Sequence, residues 1–374
     1  MIGVVLGLAC GLAGCHIVFS SDGSNHPPVD ATGDAQGDAL VDGNVAVPNY
    51  AFITKATFSG NLGSVAGADA KCKAAAMNAL PAPLPGNFIA VLAVDAPSYS
   101  ALKLTAGSSG WMRTDQALVA QTPADFTNAG FLHNAIVLDQ NGDRPTTTTV
   151  WTGMDATGGA IAESCMRFSS ETGMGGVGDT STLRGTLKAG LARCDNANAL
   201  RLLCISVGSQ VAIAPLPPSS AKRIFLSKTP HSGGANFATF NATCVAEAQS
   251  VSLSGDYVAM LPSNVKTALS IAGLPDNAIF ARVDGTPVGT LTSEPLTFFN
   301  QFADKSFPAA GQDIQVWTGG RPNQIPTLAQ NCNNWSNNGG TGLIGSAITA
   351  TLAAYTLTGE TSCVTPRRVY CVEK

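Results

Sequence analysis

The sequence predicts an α+β protein built from two tandem copies of one disulfide-bonded domain, and three observations lead there. The tetrapeptide VWTG occurs at residues 150 to 153 and again at 316 to 319. Eight cysteines fall into two sets of four: Cys72, Cys165, Cys194 and Cys204 stand 93, 29 and 10 residues apart, and Cys244, Cys332, Cys363 and Cys371 stand 88, 31 and 8 apart. Each copy opens and closes on an apolar, β-rich run, "YAFITK" or "RIFLSK" at the start and "LRLLCISV" or "RRVYCVEK" at the end. Matching intervals over such a length mean duplication.

The elements follow in order. "MIGVVLGLACGLAGC" is an apolar run too short to span a bilayer and ends in small residues, which reads as an export signal. Its tail, Leu12 to Cys15, resembles the bacterial lipobox. That resemblance implies that Cys15 is acylated and becomes the mature N-terminus, and with His16 rather than an acid after it, that the chain goes to the outer membrane or cell surface. Residues 16 to 49 hold five aspartates and no Lys or Arg, too acidic and too poor in apolar residues to bury a core, and predict a disordered tether. The net charge of the chain is -4, so the remainder carries +1. That balance, with no basic stripe, argues against a nucleic-acid partner.

The first copy spans residues 50 to 207. After its opening strand, the Ala-rich stretch behind Asp69 predicts a helix carrying Cys72. Strand-like "FIAVLA", a long middle of turns, the VWTG strand and the closing strand with Cys204 complete it. The second copy, residues 222 to 374, repeats this order, down to Arg113 and Asp115 echoed by Arg282 and Asp284. Between them, "GSQVAIAPLPPSSA" (208 to 221) has linker composition. An even cysteine count in an exported chain implies disulfides, and spacing alone leaves three pairings open per copy. No C-x2-C pair suggests zinc instead.

The order of strand, helix with first cysteine, W-x-G strand, second and third cysteines and final "VYCVE" strand resembles the C-type lectin-like fold. Within it, "FSGNLGSVAGADAKC", "VWTGMD", "CNNWS" and the terminal strands are similar to the endostatin domain of animal collagens, and to an uncharacterised domain of bacterial lipoproteins. The resemblance covers both copies. It implies two nested bridges in each: Cys72 to Cys204 and Cys165 to Cys194, then Cys244 to Cys371 and Cys332 to Cys363. A calcium-dependent lectin site does not carry over, since "RPNQIP" has Arg321 where the family has an acid or amide and "NWSNN" lacks the acid. Zinc does not carry over either, because His16, His26, His133 and His231 are scattered. No metal and no cofactor is expected.

Nucleophile elbow, zinc-protease helix and phosphate-cradling glycine loop are all missing from the sequence, so an enzyme is not expected. The expectation is a surface-anchored binding or adhesion module for an extracellular glycan or matrix protein. The alternative is a structural envelope scaffold without a dedicated ligand. Candidate ligand contacts are Trp335 with Asn333, Asn334, Asn337 and Asn338, where amides surround an aromatic ring, and the long middle segments, 104 to 149 and 263 to 314.

Overall fold

The computed structural model describes residues 47–95, 107–126, 132–155, 157–182, 189–195, 197, 199–213, 220–308, 314–357 and 359–374. The signal, Cys15 and nearly all of the tether lie outside these residues, as does 214–219 of the linker. Residues 46–374 form one compact unit. Among the described residues no helix is long and apolar enough to cross a membrane.

The first copy contributes strands β1 (Asn49–Ile53), β2 (Asn87–Ala90), β3 (Trp111–Met112), β4 (Leu118–Ala120), β5 (Thr149–Trp151), β6 (Met174–Asp179), β7 (Gly190–Arg193) and β8 (Arg201–Val207). They join in the order β4-β3-β1-β8-β5-β6-β7, with β2 also on β8. The second copy contributes β9 (Lys222–Leu226), β10 (Tyr257–Ala259), β11 (Ile279–Arg282), β12 (Pro287–Thr290), β13 (Gln315–Trp317), β14 (Thr341–Ser346), β15 (Glu360–Ser362) and β16 (Arg368–Glu373). Their order, β12-β11-β9-β16-β13-β14-β15 with β10 on β16, is the same topology again. The fold is therefore α+β, two eight-stranded sheets with few helices and four disulfides.

The first and last strands of each copy pair antiparallel at the centre of its sheet, Phe52 against Cys204 and Phe225 against Cys371. These strands read as nearly continuous apolar runs because both faces of the sheet are covered. Alternation divides their side chains between two cores. Phe52, Leu202 and Cys204 meet the helix Ser64–Met77, whereas Ala51, Ile53, Leu203 and Ile205 face a second cluster that includes Phe298 and Ala350 of the other copy. The second copy places Phe225, Val369 and Cys371 against the helix Phe237–Ser250 and Ile224, Tyr370 and Val372 on the opposite side.

Each first cysteine sits on its helix and is bridged to the last strand, Cys72 to Cys204 and Cys244 to Cys371. The inner bridges are Cys165 to Cys194 and Cys332 to Cys363. The first helix begins at Ser64, five residues before Asp69. Asp69 is thus not its cap: its buried carboxylate accepts the backbone N–H of Ala90 at 2.9 Å and ties helix to β2. Asn241 does the same for Ala259 at 3.0 Å. The described start of the linker is also ordered against the first copy, with Ser209 O accepting from the Asn49 amide and Ile213 O from the Gln121 amide.

Candidate functional site

The cysteine-to-tryptophan stretch of the second copy folds as a left-handed helical turn. Cys332, Asn333, Asn334 and Trp335 have φ of +54°, +54°, +61° and +59°. Cys165, Met166, Arg167 and Phe168 do the same in the first copy, at +51°, +50°, +63° and +57°. L-residues in this region cost roughly 1 to 2 kcal/mol each, and runs of them are rare. The surroundings hold the turn. Trp335 N–H bonds Asn331 O at 2.7 Å and Phe168 N–H bonds Ser164 O at 2.6 Å. The Asn331 and Ser164 side chains accept the N–H groups of Asn334 and Arg167. The disulfides fix the first residue of each turn and a buried ring fixes the last.

Trp335 is a correction to the expected site. Its ring is 0% exposed, its indole N–H donates to Pro262 O at 2.7 Å, and Phe240 and Trp317 each lie edge-on at 6.0 Å. A ring packed on every side has no face for a sugar. All four tryptophans are interior in the same way. The VWTG repeat belongs to this packing: Gly319, at φ +63°, lies where a Cβ would come within 3.0 Å of the Trp335 ring, and Gly153 would similarly meet Phe168. Only glycine satisfies both the backbone and the space.

The four asparagines do reach the surface around the turn, with Asn334 half-buried and Asn333, Asn337 and Asn338 exposed. Three of their side-chain oxygens brace the backbone. Asn334 accepts from Asn264 N–H at 3.2 Å, Asn337 from Gly339 at 2.7 Å and Asn338 from Gly234 at 2.9 Å. In the first copy the counterpart of the Asn334 contact is an ion pair, Arg167 with Asp95.

The middle segments are corrected in part: Arg113, His133, Asn134, Arg282, Leu296 and Thr297 join one copy to the other instead of facing a ligand, while other residues of these segments, such as Val265 and Ile279, are exposed. Equivalent hydrogen bonds, Ile53 N–H to Leu138 O and Leu226 N–H to Gln301 O, make Leu138 the counterpart of Gln301. In the same register Asn134 answers to Thr297 and His133 to Leu296. Thr297 Oγ1 donates to Asn134 Oδ1, joining a residue to its own counterpart. The contacts of the arginines are reciprocal: Arg113 donates to Leu296 O of the second copy, and Arg282 to His133 O of the first at 2.8 Å. Thr182 and Thr349, counterparts by the registers of β6 and β14, bridge to each other. A contact of residue i with its own equivalent is the mark of an isologous, twofold interface. Here it is formed within one chain.

Arg113 and Arg282 are 0% and 2% exposed, and each is paired with the carboxylate two residues on, at 2.7 Å and 2.8 Å. Burial alone raises a carboxyl; the charge and hydrogen bonds of Arg282, with those of Thr286, overrule it and bring Asp284 down to about 2. Asp115 is lowered in the same way by Arg113. His133, at the same seam, is pushed below the usual imidazole value chiefly by burial. The sequence carried a signal for this pair, the repeated Arg-x-Asp, without indicating what it held.

All eight cysteines of the two copies are consumed in bridges. Among the described residues, His, Cys, Asp and Glu form no group of three placed to hold a metal. A shallow hollow of about 510 Å³ is lined by Lys222, Leu274, Pro275, Asn277 and Ile279, away from the turns. No protein family matches the chain, and no curated protein matches it either.

Proposed function

We propose that the chain is an exported, lipid-anchored envelope protein whose two copies are C-type lectin-like domains of the endostatin kind, and that it serves as a rigid structural body held off the membrane by an acidic tether. The contact that residues of the two middle segments make with each other carries this reading. In domains of this plan recognition would fall on those long irregular segments, and here their described parts hold one copy to the other through Arg113, Arg282, Asn134 and Thr297. The lipobox-like "LAGC", the acidic composition of residues 16 to 49 and four bridges suited to an oxidising compartment support the same reading.

A second reading, adhesion to a glycan or matrix protein, is favoured by the exposed amides of Asn333, Asn337 and Asn338 on the left-handed turn. One screen separates the two. Oxidised chain is presented with glycans and matrix proteins, with and without a calcium chelator. The structural reading expects no saturable hit; a saturable hit weakened by Asn333→Ala overturns it in favour of adhesion. The anchor is checked separately by palmitate labelling, which Cys15→Ser should abolish.

A further inference from the structure

The two turn faces are counterparts in backbone but opposites in charge. The VWTG strands and the turns align Asp155 with Arg321, Glu163 with Gln330 and Glu171 with Asn338, and the Arg167 to Asp95 pair aligns Asp95 with Asn264. Each of these four acids is thus an amide or an arginine in the second copy. Residues 153 to 172 with Asp95 hold four acids and one arginine, a net of -3. Residues 319 to 339 with the adjoining Asn264–Lys266 stretch hold Arg321, Lys266 and no acid, a net of +2. Beside this second face Glu360 accepts from Thr341 Oγ1; Arg193, on the strand beside the first, is paired with Asp195. Both faces also expose large apolar side chains, Met166 at 69% on one and Val265 at 70% and Ile325 at 55% on the other.

Exposed aliphatic side chains rimmed by charge are the composition of an interface that is not yet covered. Opposite charge on equivalent surfaces excludes like pairing and favours unlike pairing. We infer that the second-copy face of one chain docks on the first-copy face of another, so that chains join end to end through a heterologous contact. Such a contact does not use itself up and propagates from chain to chain. The occupant is a second copy of this protein, selected by charge; lipid anchoring would confine the partners to one membrane plane and raise their effective concentration. The inference rests on the structural-body reading, for which it supplies the partner.

The test uses the mature chain, residues 16 to 374, without lipid. Sedimentation velocity at low ionic strength should show species that grow with concentration and dissolve at about 0.5 M salt, where the screening length falls to a few ångströms. Lys266→Asp with Arg321→Asp makes both faces acidic, and Asp155→Arg with Glu163→Arg makes both basic. Each variant alone should associate at least about tenfold more weakly, and mixing the two should restore assembly. Restoration also shows that both variants are folded. A chain monomeric at low salt and high concentration overturns the inference, as does association indifferent to the reversals. A monomer would leave a lone structural body standing, whereas a saturable glycan hit would remove that reading without touching the sedimentation result.

Discussion

Met166 and Arg167 occupy backbone positions that Asn333 and Asn334 fill in the other copy. Asparagine tolerates the left-handed region; an unbranched apolar or cationic chain gains nothing there. Met166→Asn should therefore stabilise the protein by about 0.5 to 1 kcal/mol, and Asn333→Val should destabilise it by about 1 to 2 kcal/mol. Shifts in urea midpoint at constant slope would report both; a destabilised Met166→Asn would mean that the side chain, not the backbone, governs the site. At the seam His133 responds to acid first and the carboxylates Asp115 and Asp284 later. His133 takes its proton at lower pH folded than unfolded, so its contribution is complete above the ordinary imidazole value of about 6.5 and is lost as pH falls below it. Asp284 is depressed to about 2, so its contribution is complete above the ordinary carboxylate range and disappears as pH falls toward 2. Stability should drop in two stages, and His133→Gln should remove the first alone. A single stage in both proteins would contradict the assignment.

Strands and turns differ in how far the sequence disclosed them. The terminal strands were legible because a strand covered on both faces is a continuous apolar run, as "LRLLCISV" is. The helix was legible in kind but not in its start, since Gly63 and Ser64 form its entry while Asp69, with the look of a cap, is buried elsewhere. The left-handed turn was barely legible: Asn333 and Asn334 suit positive φ but nothing in Cys-Met-Arg-Phe signals it, and the conformation is held by the bridge of its first residue and the burial of the ring of its last. This ordering predicts an inversion of the usual loop-length effect. Chain entropy gives about 5 kcal/mol for the bridge closing 132 residues and about 3.5 kcal/mol for the one closing 29. Replacing Cys165 and Cys194 by alanine should nevertheless cost at least as much as replacing Cys72 and Cys204, because the turn unwinds with it. Thermal unfolding of the two double variants decides the order.

The duplication was readable from cysteine intervals, yet its consequence for the whole molecule was not. Middle segments rich in Thr, Asn and Pro look like solvent-facing loops, and the residues that join them across the seam act only through their partners' positions. Ala135, Ile136, Phe298 and Ala350 share one core across the copies. The two copies should therefore unfold in one cooperative step, with calorimetric and van't Hoff enthalpies in agreement. Arg282→Met, which strands the Asp284 carboxylate and the His133 carbonyl, should cost about 3 to 5 kcal/mol and split that step into two. Two transitions in the unaltered protein would mean that the seam couples the copies weakly.

The seam has one further property. On a true twofold axis a change in one gene position is felt at two places at once, so a substitution must suit both or neither. Fusion into one chain removes that restriction, and each side of the axis drifts alone. Arg144 and Phe307 are such counterparts: Arg144 reaches Pro295 O, Ala350 O and the Glu294 carboxylate, while Phe307 lies edge-on to His133 and beneath the Arg282 guanidinium. Two equivalent places have acquired a charge and a ring, a pairing that a homodimer of either half could not contain.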